Sequence, residues 1–163
     1  MNRFLFRSAM LCALLSAFSI AATGSVGIQA REAWIRWLPA NVPSGAYVTL
    51  IKSGGAPQVL VGASSPDFAQ ISFHQTRTAN GMSEMSAVDN LTVASHGSLR
   101  FAPGGYHMML MQPRRALQPG DQVPITLHFA DASSLLVLFD VRSAGGDATA
   151  PSHAMDDMPG MRH

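Results

Sequence analysis

Between residues 31 and 143 no stretch sustains a helical period, and short runs rich in β-branched and aromatic residues follow one another instead. Ala46–Ile51, Gln58–Gly62, Ala69–His74, Tyr106–Met111, Val123–Phe129 and Leu135–Val141 each have the length and composition of a strand. Gly54-Gly55, Asn80-Gly81, Pro103-Gly104-Gly105 and Pro119-Gly120-Asp121 punctuate them with turn chemistry. Strands at this spacing bury one face each only by packing against a second layer. The predicted architecture is therefore all-β: an antiparallel sandwich or small barrel with Greek-key connections. No internal repeat is present.

The two ends differ from this middle. Arg3 and Arg7 precede an uncharged apolar run, Ser8 to Ala22, and Ile28-Gln29-Ala30 offers a cleavage site before Arg31. Residues 1–30 thus read as a cleaved export signal leading to the periplasm. The apolar run is shorter than the roughly 20 residues that a membrane-crossing helix needs, and no basic stop signal follows it. The single cysteine, Cys12, lies inside the signal and lacks a lipobox-like Leu at the right offset, which argues against a lipid anchor. At the other end, residues 144–163 open with Ala-Gly-Gly-Asp-Ala-Thr-Ala-Pro-Ser, too poor in apolar residues to offset the entropy of ordering, and a flexible tail is expected there. Residues 31–143 form the one folded domain of this reading.

Loss of Cys12 with the signal leaves no disulfide and no thiolate, so the hydrophobic core alone must hold the domain. Without Arg3 and Arg7 nine basic residues face ten acidic ones, a formal charge of −1 that gives no basic footprint for nucleic acid. Against the missing thiol stand six His and, without Met1 and Met10, eight Met. Strand alternation places His107 and Met109 on one face, with Tyr106, Met108 and Leu110 turned away. His74 closes another expected strand, and Met85 follows the Asn80-Gly81 reversal. If those segments straddle one end of the sandwich, four donors meet there. Thioether sulfur is soft and selects Cu(I), whereas imidazole serves several metals, so two His with two Met point to copper rather than zinc, calcium or magnesium. Holding or moving the ion is the implied task; a blue-copper electron-transfer site would need a thiolate.

Plainer roles suit most of the remaining residues. Met82 and Met108 read as core filler. Met111 reads as filler too, or as a further wall of the site, since it shares the face of Met109. His96, near the expected turn at Ser95 to Gly97, and His128, on a late strand, read as exposed or hydrogen-bonded structural residues. Trp34 and Trp37 are expected at the sandwich edge, and Asp67 and Glu84 in solvent. The C-terminal His153, Met155, Met158, Met161 and His163, with Asp156 and Asp157 among them, form a second candidate metal tract on composition, able to offer nitrogen and oxygen to Cu(II). No nucleophile with a paired base and no arranged carboxylate pair suggests an enzyme.

His74, Met85, His107 and Met109 are separated by ten, twenty-one and one residues. On that spacing the chain resembles the periplasmic copper chaperones called PCu(A)C. The context agrees: Ala33-Trp34-Ile35-Arg36, Gly45-Ala46-Tyr47-Val48-Thr49-Leu50, Ser64-Ser65-Pro66, Pro103 to Met111 and Gly120-Asp121-Gln122-Val123-Pro124, so that the likeness spans residues 31–142. The resemblance implies a cupredoxin-like β-sandwich and Cu(I) held by those four residues. It also implies delivery to the binuclear copper site of cytochrome c oxidase, through an oxidase subunit or its assembly factor, and a tail that takes Cu(II). Family members often carry a Met directly after the first His, where this chain has Gln75, which leaves the four-ligand set intact. A copper-buffering or copper-resistance protein without a dedicated acceptor would use the same ligands.

Overall fold

A computed structural model describes residues 27–39 and 42–144. Ten strands follow in order: β1 (Ile28–Trp37), β2 (Ser44–Lys52), β3 (Gln58–Ser64), β4 (Phe68–Ala79), β5 (Met82–Ala87), β6 (Leu91–Val93), β7 (Ser98–Phe101), β8 (Tyr106–Pro113), β9 (Gln122–Phe129) and β10 (Ser134–Ser143). The described residues contain no helix, hence none long and apolar enough to cross a membrane. The strands hydrogen-bond in the order β5-β4-β8-β7-β2-β1-β10-β9-β3-β6, with β8 also meeting β2, and fold over one core as a β-sandwich.

Period-2 alternation builds that core. Val48 and Leu50 of β2, Phe73 of β4 and Met108 and Leu110 of β8 meet Val123, Ile125, Leu127, Val137 and Phe139 of β9 and β10. Each such side chain contributes roughly 1.5–3 kcal/mol by leaving water, and in a chain without disulfides in this region nothing else replaces that term. All six expected strands are present. The structure adds β1, β5, β6 and β7, and it departs from a purely antiparallel plan by pairing β1 with β10 in parallel, Trp34 opposite Asp140 through Trp37 opposite Ser143.

β1 explains its own illegibility. Its register against β2 steps from Arg31 opposite Thr49 to Trp34 opposite Tyr47, so one extra residue bulges out, with Glu32 at φ 54°. The bulge reverses which residues face inward halfway along. β1 also begins ahead of the boundary expected at Arg31: Ile28 pairs with Lys52 and lies in the core. Ile28, Gln29 and Ala30, placed ahead of the folded domain on the sequence, pair with Lys52, Ile51 and Leu50.

Other residues stand elsewhere than expected. Met108 is core, but Met82 is 74% exposed, because β5 buries nothing. Trp34 sits on a strand with neighbours on both sides rather than at the edge, and Trp37 donates from its indole nitrogen to the Leu117 carbonyl at 2.7 Å. Asp67 is not simply solvated: its carboxylate accepts from Arg115 at 2.9 and 3.1 Å.

Candidate metal centre

β4 and β8 lie antiparallel with His74 directly opposite His107, Ser72 opposite Met109 and Gln70 opposite Met111. Opposed residues share a face. Because Phe73 and Met108 are the buried pair between them, both imidazoles and the Met109 thioether must point outward. The imidazole rings stack with centroids 5.8 Å apart and planes inclined by 24°.

Met85 arrives by a tight reversal. Asn80 and Gly81 both have positive φ, 52° and 76°, as a two-residue type I′ hairpin turn requires. The turn sets Ala79 opposite Met82 and Thr76 opposite Met85. Thr76 is two residues from His74, so Met85 occupies the same outward face, diagonal to the first imidazole. His74 itself lies well inside β4 rather than at its end, because the strand continues into the hairpin. All four residues of the spaced set therefore share the outer face of β5-β4-β8.

The hydrogen bonds prepare the imidazoles differently. His107 Nδ1 lies 3.2 Å from the Gly105 carbonyl, which only accepts, so Nδ1 carries the proton and Nε2 keeps its lone pair for a ligand. His74 Nε2 lies 3.0 Å from Ser72 Oγ. Burial, and then the neighbouring His107, hold the His74 pKa below its ordinary value of 6.5. Near neutrality the ring is thus the uncharged form that a metal takes. Met85 is 51% exposed, whereas His74, His107 and Met109 are half-buried.

Among the described residues no three His, Cys, Asp or Glu side chains come together. The donors that stand with the two imidazoles on this face are the thioethers of Met85 and Met109, which suit a soft ion. Met111 shares the face and is partly exposed, so it flanks the site. His96 and His128 lie apart from it: His96 sits exposed in a turn at φ 53°, and His128 Nε2 is hydrogen-bonded to Ser64 Oγ at 2.8 Å. His153, Met155, Met158, Met161 and His163 lie outside the described residues.

Sequence reasoning passed over two neighbours. Ser72, bonded to His74 and opposite Met109, is an ordinary serine in the sequence, and only the register brings it to the site. Tyr47 is the second. Gly45 stands opposite Met109, and a Cβ on Gly45 would meet the Tyr47 hydroxyl at 2.8 Å, so the phenol lies across the glycine beside the site.

The family model of LpqE-like lipoproteins matches residues 28–141. This chain belongs to the LpqE-like, PCu(A)C family. It is 30% identical over 121 residues to a Leifsonia xyli subsp. xyli protein named as a lipoprotein, covering 74% of this chain and 72% of that one. The solution structure of the Cu(I) form of DR1885 from Deinococcus radiodurans is 31% identical, with a TM-score of 0.59 over 77% of this chain and 85% of that one. A copper-bound PCuAC domain from PmoF2 matches with a TM-score of 0.60 at 23% identity, covering 72% of this chain and 93% of that domain, a likeness of fold. The family's cupredoxin-like sandwich is the fold described above.

Proposed function

We propose that this PCu(A)C protein is an exported copper carrier that binds one Cu(I) through His74, Met85, His107 and Met109 and passes it to a copper-accepting protein. The observation that carries the reading is the register of β5, β4 and β8, which turns two imidazoles and two thioethers out on one face. The copper-bound relatives support the choice of ion.

The donors suit carriage. Two neutral imidazoles and two neutral thioethers leave the bound ion with its single positive charge and favour Cu(I) over Cu(II). Three of them stand on the rigid β4–β8 ladder, which sets their geometry before the ion arrives. The exposed Met85 stands on a hairpin arm, so an incoming ligand from a partner has room to replace it before the other three let go. An electron-transfer site would instead hold its ion closed against exchange.

The acceptor in this reading is a cytochrome c oxidase subunit or its assembly factor, and the compartment is the periplasm, in keeping with a family that includes proteins named as lipoproteins. The C-terminal His153, Met155, Met158, Met161 and His163 would add a Cu(II)-accepting tract. X-ray absorption of the Cu(I) form, with transfer to an apo oxidase copper domain, tests the reading. Sulfur together with nitrogen around copper, and loading of the oxidase domain, are expected. Nitrogen and oxygen neighbours alone would overturn the ligand set, and a loaded chain that retains its copper would leave buffering as its task.

A further inference from the structure

The outward face that carries the four donors continues past them into a patch of arginines and aromatic rings. Arg142 of β10 stands opposite Arg36 of β1. Ile35 opposite Ala46 sets Arg36 beside Gly45, Gly45 stands opposite Met109, and Met109 opposite Ser72. One cross-strand row therefore runs from the arginine pair to the copper face. Two strand spacings, about 10 Å, separate Arg36 from Met109.

Both guanidinium groups are held against aromatic rings. Arg36 lies over Tyr47 at 5.9 Å and Arg142 over Trp34 at 5.6 Å, while Trp34 and Tyr47 contact each other at 4.5 Å. The next outward row adds Arg31 and Arg100, both opposite Thr49 and both exposed. Two carboxylates lie near: Asp140, opposite Trp34 and accepting from the Gln122 amide at 3.1 Å, and Glu32 in the bulge.

Two features of this patch cost stability. Like charges set directly opposite on neighbouring strands repel. The Nε of Arg36 is buried with no hydrogen-bond partner in the protein, which leaves a charged group's donor unsatisfied. Stacking on Tyr47 orders the Arg36 guanidinium plane and brings no acceptor to its Nε–H. A bound carboxylate would offset both costs. A stable interface also covers roughly 800 Å² on each partner, a disc some 30 Å across. A footprint of that size laid over Met109 has room for Arg36, two strand spacings away.

We propose that Arg36, Arg142, Arg31 and Arg100, ordered on Trp34 and Tyr47, form the docking surface for the acceptor, a protein that presents carboxylates around its own copper-receiving ligands. The proposal rests on the copper reading above for the partner's task, and on the arginine row itself for the partner's charge. The carboxylates would steer the acceptor's approach and set its register over the copper face.

The test uses the metal-free full chain and two synthetic peptides with the same His and Met residues, one flanked by glutamates and one by lysines. Binding is followed by NMR at the arginine Nε and Trp34 indole signals. The glutamate peptide is expected to bind about tenfold more tightly at low salt, the difference shrinking as ionic strength rises. Arg36→Gln with Arg142→Gln should abolish the preference, and Arg100→Gln, whose side chain is exposed and carries no fold contact of note, should reduce it. Equal binding of the two peptides, or a preference that survives the double substitution in a folded chain, overturns the proposal. So does a tenfold gain on Asp156→Asn with Asp157→Asn, which would mean that the chain's own acidic tail occupies the patch. Cu(I) stoichiometry of the same samples, read with a chromophoric chelator, keeps the two readings apart. A chain that takes no Cu(I) overturns the copper reading, and a chain that takes Cu(I) without distinguishing the peptides overturns this one.

Discussion

The β9–β10 pair and the β4–β5 hairpin are both antiparallel two-strand units, yet they are made of opposite material. β9 and β10 alternate strictly, turning Val123, Ile125, Leu127 and Phe129, then Val137, Phe139 and Val141, into the core. Every residue of β5 is exposed. β9 and β10 are held by burial; β5 is held to β4 by backbone pairing and a two-residue turn whose positive φ values Asn80 and Gly81 supply. A strand with no packing duty leaves its side chains available for chemistry, and Met85 stands there. β8 unites both modes, with Met108 and Leu110 inward and His107 and Met109 outward.

Substitutions separate the two modes. The largest effect is expected in the buried unit: Phe139→Ala should cost about 3–5 kcal/mol by leaving a cavity in the sandwich. Urea unfolding would read it, and a loss below about 1 kcal/mol would mean that the β9–β10 face does not carry the fold.

On the outward face the order reverses. His107→Ala and Met109→Ala should each weaken Cu(I) binding by more than the roughly 10–100-fold that losing a hydrogen-bonding partner of a ligand costs, with little change in the unfolding midpoint. His96→Ala and His128→Ala are the controls and should hold their Cu(I) affinity in the same competition titration. Equal losses from all four would point to general destabilisation instead of ligation.

The hairpin allows a finer contrast. Gly81→Ala puts a Cβ at φ 76° without touching any donor. It should loosen the arm and weaken Cu(I) binding severalfold, less than Met85→Ala does, while costing global stability about 1 kcal/mol. If Gly81→Ala lowers the melting temperature strongly and leaves copper affinity alone, β5 is a structural strand after all.

Proton competition gives the smallest effect. His74 has a folded pKa below 6.5 because burial and His107 disfavour its charged form. The unfolded chain therefore binds more protons just below 6.5, so this contribution to stability is full above that pH and is lost as pH falls through the folded pKa. Thermal melts of the copper-free protein should show a shallow decline below pH 6.5 that His74→Ala removes. A decline identical in the variant would assign it to other groups.

What the sequence made legible follows the same division. His107 and Met109 could be placed on one face because strand alternation is regular through β8, and Met85 because Asn80-Gly81 is a strong reversal signal. β5 itself was hidden, since Met-Ser-Glu-Met-Ser-Ala holds neither a β-branched nor an aromatic residue. For the same reason nothing in the sequence marks Met82 as exposed. β1 was hidden by the bulge at Glu32, which breaks its alternation. The arginine pair was out of reach because residues 36 and 142 meet only through a parallel pairing of the first strand with the last.

The central claim, that two methionines of the outward face hold the ion while their neighbours do not, is tested most directly by NMR of the ¹³C-labelled methionine methyl groups in the full chain during Cu(I) titration. Up to one equivalent the methyl signals of Met85 and Met109 should shift together, while that of the buried Met108 and that of the exposed Met82 remain in place. Stationary Met85 and Met109 signals, with movement confined to Met155, Met158 and Met161, would place the first copper on the C-terminal tract and contradict the account.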